Sequence, residues 1–261
     1  MAFSSLAEID NYMKENTCEF WEAVIREEAR DSQQLEMDIV NRMTQMYRAM
    51  KEADETYDDT LTSHSGLSGK NGKRMADYAA THKCMCGEFG GAVMARAIKM
   101  AESNACMKRI VAAPTAGSCG VVPAILITYE RMTNTSENDM VKALFVAAGI
   151  GDVIARRASI SGARGGCQAE IGASSAMAAG ALAWLKSGSS HLITQAAAMA
   201  LKSLLGLVCD PVAGLVEVPC VKRNASGAMN ALCAVDMALA GIESAIPVDE
   251  VIDAMLSLIH I

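Results

Sequence analysis

Ser161-Gly162-Ala163-Arg164-Gly165-Gly166-Cys167-Gln168-Ala169-Glu170 opens a stretch that continues through an Ala- and Met-rich helical run to Cys209-Asp210-Pro211-Val212-Ala213-Gly214. It closes on Val218-Pro219-Cys220-Val221-Lys222-Arg223-Asn224. Each cysteine in this stretch stands where backbone is freed or broken: Cys167 after two glycines, Cys209 before Asp-Pro, Cys220 after a proline. Cysteines kept for packing sit mid-helix on an apolar face, whereas cysteines at element ends can converge on one point. Thiolate is the usual protein ligand of iron–sulfur clusters. The spacing from 167 to 209 to 220 is neither a ferredoxin run nor a CxxC zinc pair. Spacing alone leaves two readings open, a three-Cys metal site and three buried thiols.

Outward from this stretch the pattern is helical. Apolar periodicity predicts helices over about 137–158, 168–186, 190–206, 224–242 and 248–256, with Asn224 as the cap of its helix. Upstream, Val111-Ala112-Ala113-Pro114 reads as extended, because the residue before proline avoids the helical region. The turn Thr115 to Gly120 then opens a helix at about Val121. Backbone N–H groups of such a turn, with the helix N-terminus behind them, form a cradle for an anion such as a carboxylate. The alternative is an ordinary helix start.

A further helix is expected over about Glu88–Glu102, preceded by Cys84 and Cys86, which read as structural or free thiols. Residues 61–74 form a Ser- and Gly-rich loop carrying His64, either a solvated connector or a loop that reaches the site. Before it, residues 4–55 read as one broken or two long amphipathic helices. Ser5 and Glu8 suit a capping box, and Leu35, Ile39, Met43, Met46 and Met50 share one apolar face. Trp21 reads as packing. No alternating strand pattern, internal repeat or Pro-rich linker appears. The expectation is all-α: an N-terminal helical arm over 1–60 and a helical domain over 61–261, together one folding unit.

Composition narrows the function. Lys and Arg number 23 against 30 Asp and Glu, so the chain carries a net charge of −7, which argues against a nucleic-acid partner. The N-terminus lacks the basic and apolar regions of a secretory signal. The nine cysteines then fit a reducing compartment, where ligands and free thiols outnumber disulfides. The longest uncharged run, Val111 to Tyr129, is interrupted by Pro114, Gly117, Gly120 and Pro123, so no membrane span is expected. A soluble cytoplasmic protein is the expectation.

The segments GARGGCQAEIG (162–172), CDPVAGLVEVPC (209–220), KRNASGAMNA (222–231) and APTAGSCG (113–120) closely resemble the catalytic alpha chain of iron–sulfur-dependent L-serine dehydratases. The resemblance runs from about Leu61 to about Ala254. It includes a Gly-rich loop, usually SGLTGG in that family, in which Ser68 and Lys70 depart from the pattern. It implies a helical bundle whose Gly-rich loops converge on a buried iron–sulfur site. Cys167, Cys209 and Cys220 would be the ligands of a 4Fe–4S cluster with one iron not held by cysteine. Thr115, Gly117, Ser118 and Gly120 would bind the substrate carboxylate. Arg164, Lys222 and Arg223 flank the cysteines and read either as cations that offset the cluster's negative charge and hold the substrate carboxylate, or as helix-end salt bridges.

The implied reaction is dehydration and deamination of L-serine to pyruvate and ammonia, without pyridoxal phosphate. The alternatives are an L-cysteine desulfidase on the same scaffold and a non-catalytic iron–sulfur protein. The family's alpha chain works with a beta subunit or fused domain that carries a His-containing motif. The catalytic base is therefore expected on that partner, with His64 the candidate on this chain. His82, His191 and His260 carry no assignment, and the apolar face of the arm is a candidate for docking the partner. Residues 256–261 depart from the family, whose members continue further, so the chain reads as truncated.

Overall fold

A computed structural model describes residues 3–260. The architecture is all-α, and no strand occurs among the described residues. The arm comprises α1 (Leu6–Asn16), α2 (Phe20–Ser32) and α3 (Glu36–Glu55). After the loop come α4 (Asn71–Ala79) and α5 (Gly87–Ala105). A tight turn leads into α6 (Val121–Thr133), followed by α7 (Glu137–Arg157) and the short α8 (Gly162–Cys167). Then come α9 (Ala173–Ser187), α10 (Ser190–Lys202), α11 (Cys220–Leu239) and α12 (Val248–Ile259).

The bundle is built around α9. Every residue from Ala173 to Ala183 is buried, so this helix has no polar face and is surrounded by α6, α7, α10 and α11. Small side chains permit that crowding. A Cβ on Gly180 would lie 2.1 Å from Ile150 Cδ1 of α7. Where helices meet in this way, removing a side chain brings two backbones close enough for the larger partner to fill the gap. α7 is fixed at its start by Ser136, whose hydroxyl accepts from the Asp139 amide at 3.1 Å.

The arm differs from its expected form. It is three helices, broken where Thr17 and Gln33 take left-handed backbone conformations. Only half of the expected capping box forms: Ser5 Oγ accepts from the Glu8 amide, while the Glu8 carboxylate turns to Ser4. The inward face of α3 is Ile39, Tyr47, Met50 and Ala53, whereas Leu35 and Met46 are 67% and 51% exposed. Leu35 lies outside the helix as its cap, so its side chain does not follow the helical period. Trp21 packs against the core as expected, under the Lys142 ammonium 5.0 Å from its ring. Leu6, Ile9, Phe20, Ala23 and Tyr47 join the same core as α7 and α9, so the arm's apolar face is used within the chain. No helix among the described residues is long and apolar enough to cross a membrane.

Candidate functional site

Three segments meet at one end of α9. The first is the corner between α8 and α9. Gly166 adopts φ +76°, which breaks the helix and lets residues 206–209 pass against it; a Cβ there would lie 3.0 Å from the Leu207 carbonyl and 3.5 Å from the Cys209 amide. Residues Gln168–Gly172 then make a π-helical turn, a form that recurs at functional sites. Gln168 fastens the corner: its amide donates to Leu207 O and its Oε1 accepts from the Gly206 amide, both at 2.9 Å.

The second segment is the turn over residues 113–120. Ser118 and Cys119 amides donate to the Thr115 and Ala116 carbonyls, and Ser174 Oγ of α9 donates to the carbonyls of Ala113 and Ser118. The Gly120 amide donates to Asn224 Oδ1 at 2.8 Å. The turn's remaining amides for an anion are therefore those of Ala116 and Gly117. Cys119 is buried, its thiol pushed up to about 12 by burial, and it donates to Met100 O at 3.7 Å, a packing role.

The third segment leads through Cys209 to Cys220. Here the expectation for Asn224 fails. α11 begins at Cys220, so Asn224 lies one turn inside the helix and is fully buried. Its Nδ2 donates to Gly117 O at 2.7 Å and to Cys220 O at 3.0 Å while its Oδ1 holds Gly120. One amide thus clamps the turn to the first residue of α11.

Cys167, Cys209 and Cys220 are the expected ligands; no three His, Cys, Asp or Glu side chains among the described residues close on a single metal ion. Cys167 and Cys220 are buried and Cys209 is exposed. Burial pushes the Cys220 thiol up to about 11, aided by Cys167, Glu170 and Cys209. Burial also raises Cys167, against the Arg223 guanidinium, which donates to its Sγ at 3.0 Å. Arg223 reaches Val208 O and Asp210 as well. Of the expected cations it is the one on the thiols, since Arg164 and Lys222 are exposed.

Two carboxylates that the sequence did not single out complete the picture. Glu170 follows Cys167 by one helical turn and accepts a hydrogen bond from Thr115 Oγ1. Glu217, between Cys209 and Cys220, accepts from Ser63 Oγ at 2.5 Å and Ser65 Oγ at 2.8 Å. Burial opposes its charge, but the hydroxyls of Ser63, Ser65 and Ser68 outweigh burial and hold it below the usual carboxylate range. The Ser/Gly-rich loop is therefore docked on the cysteine-bearing segment and is no solvated connector. Its far end is held by buried Glu102, which accepts from the amides of Gly69, Asn71 and Gly72, from Asn71 Nδ2 and from Tyr57 Oη. His64 rides this loop, exposed. His191 pairs with Glu243 at 3.0 Å, and His82 is exposed.

Similarity to known proteins covers nearly the whole chain. The probable L-serine dehydratase alpha chain of Bacillus subtilis (strain 168) is 44% identical over 253 residues, 97% of this chain and 84% of that protein. The L-serine dehydratase alpha chain of Peptoniphilus asaccharolyticus is 40% identical over 251 residues, 95% of this chain and 85% of that one. L-serine dehydratase 1 of Escherichia coli (strain K12) is 44% identical over 161 residues, 61% of this chain and 36% of that longer protein. With the serine dehydratase alpha chain family matching residues 15–261, the chain belongs to that family.

Proposed function

We propose that this chain is the catalytic alpha chain of an L-serine dehydratase that converts L-serine to pyruvate and ammonia with the help of a 4Fe–4S cluster. The observation that carries the cluster reading is the donor set at the α8–α9 corner. Cys220 lies within electrostatic reach of Cys167 and Cys209, Cys167 within reach of Cys209, and the Arg223 guanidinium donates to the Cys167 sulfur. A cluster sets its thiolate ligands farther apart than a single ion does, so the lack of a single-ion group among the described residues does not count against it. Cys167, Cys209 and Cys220 would hold the cluster and Arg223 would offset its negative charge. Bound there, the cluster would supply a Lewis acid, an iron without a cysteine ligand, to ease departure of hydroxide.

The chain's own residues position the substrate. The amides of Ala116 and Gly117, with the Ser118 hydroxyl beside them, orient the substrate carboxylate, while Thr115 Oγ1 donates to Glu170. Asn224 holds that turn in register with Cys220. Removal of the Cα proton with loss of hydroxide gives an enamine, which tautomerises and takes up water to yield pyruvate and ammonia. The base calls for a group with a pKa near the working pH, most often His. We assign it to a beta chain; support comes from the two alpha-chain relatives' names and from the exposed apolar residues Val208, Val212, Leu215 and Val216 beside Cys209. His64 remains the second reading, favoured by the docking of its loop on Glu217.

The test is anaerobic reconstitution with iron and sulfide, followed by a pyruvate assay with L-serine or L-cysteine, with and without a beta chain. Pyruvate from L-serine only in the two-chain sample is expected. Full activity from this chain alone, abolished by His64→Ala, would move the base here. Sulfide released from L-cysteine in preference to turnover of L-serine would replace the dehydratase reading, and no turnover of either would leave a non-catalytic cluster protein.

A further inference from the structure

Among the described residues Glu170 is the one carboxylate that touches the turn over residues 115–118, and its position is built. It sits between two glycines. A Cβ on Gly117 would lie 2.5 Å from its Oε1, and one on Gly162 would lie 2.8 Å from its Oε2. Any side chain at either position would occupy the carboxylate's place. Thr115 Oγ1 fixes one oxygen. Among the described residues no Lys, Arg or His pairs with Glu170, although Arg223 stands near by on Cys167. The side chain is half-buried and so remains open to a ligand. Cys167 and Cys220 both feel its charge, which places it beside the thiols as well as the turn.

A carboxylate held by one hydroxyl, with no cationic partner among the described residues, leaves an acceptor for a cation. The proposed substrate carries one. Its carboxylate and hydroxyl suit the turn and the metal, which leaves the α-ammonium group needing an acceptor on the same side. We propose that Glu170 is the residue that recognises the substrate's α-ammonium group, and so sets the preference of this site for amino acids over hydroxy acids of the same shape. The inference rests on the dehydratase reading above. In this arrangement Thr115 aims the carboxylate, and Gly117 and Gly162 leave the space in which an ammonium group can approach it.

The probe is 3-hydroxypropionate, which matches L-serine but lacks the amino group. Binding of each to the anaerobically reconstituted two-chain protein is measured by calorimetry under non-turnover conditions in the cold, with iron per chain measured alongside. The wild-type protein should bind L-serine at least about tenfold more tightly than 3-hydroxypropionate, the usual worth of a charge-assisted hydrogen bond. Glu170→Gln should weaken L-serine about 10- to 100-fold, change 3-hydroxypropionate less than about threefold, and keep its iron. Glu170→Asp, with the charge drawn back, should fall between.

Equal binding of the two ligands by the wild-type protein overturns the inference without any variant. Parallel weakening of both by Glu170→Gln, or of neither, overturns it too, the first result marking Glu170 as a latch for the turn. If Glu170→Gln loses its iron, the Glu170→Asp and wild-type ratios decide. Failure of the wild-type protein to make pyruvate from L-serine would instead sink the dehydratase reading, a separate result.

Discussion

Replacing Asn224 by Ala tests whether the site is held together by one buried side chain. Asn224 is 0% exposed and makes three hydrogen bonds of 2.7 to 3.0 Å, two of them to the turn. Cys220 O keeps a helical partner in the variant, so it loses little. The Gly120 amide and Gly117 carbonyl lose their partner in the interior. Each stranded backbone group costs about 1–3 kcal/mol, which gives about 4 kcal/mol for the pair. For a chain of this size that is a fall in melting temperature of about 8–16 °C. A domain with about 5–15 kcal/mol to lose stays folded at 25 °C. Urea unfolding followed by circular dichroism should show the midpoint falling with an unchanged slope. Asn224→Asp keeps the acceptor for Gly120 but turns an anion toward two carbonyls. A carboxyl raised in this way contributes its stability below its unfolded pKa and loses it as the pH rises through the folded one. Asn224→Asp should therefore be closest to wild type in acid. A loss below about 1 kcal/mol for Asn224→Ala would refute the clamp, since it would mean that water or a neighbour satisfies both groups.

Three other outcomes follow from the site. Among Cys→Ala variants at all nine positions, those at Cys167, Cys209 and Cys220 should lose iron after anaerobic reconstitution; full iron in any of the three, with loss at Cys84 or Cys119, would reassign the ligands. Gly117→Val places a Cβ within 2.5 Å of the Glu170 carboxylate, which is the far end of a flexible chain; the KM for L-serine should rise about tenfold or more while the melting temperature falls by only a few degrees, and unchanged kinetics would remove the turn from the site. Metal binding needs thiolates, and the apo fold favours the neutral thiol by pushing Cys220 up to about 11. Iron loading should therefore release protons and strengthen from pH 6.5 to 8.5, and an affinity flat across that range would argue against thiolate ligation.

What could be read in the sequence was local. Gly and Pro marked the corners at Cys167, Cys209 and Cys220, and apolar period gave the course of α7, α9 and α10. What escaped was carried by contacts distant along the chain. Asn is the best of helix caps, so Asn224 next to Ala and Ser suggested a start; its true partners, Gly117 and Gly120, are more than 100 residues away. The signal was present in the small residues that follow it, which bury this face of α11. Glu170, Glu217 and Glu102 each stand as a lone acid in an apolar or small-residue context, Glu217 most plainly within Leu215-Val216-Glu217-Val218-Pro219. A lone acid of that kind is a sign of a burial site with donors waiting, but nothing in the sequence names the donors.

The Glu217 clasp joins residues 154 positions apart, the serines of the His64 loop and the segment that carries Cys209 and Cys220. Two segments so joined share their order. Whatever stiffens the cysteine segment also lowers the entropy cost of placing the loop, and by reciprocity a molecule that grips the loop tightens the hold on whatever the cysteines bind. Assembly of the metal centre and readiness of the loop would then be one event seen from two ends, with a single carboxylate as the joint between them.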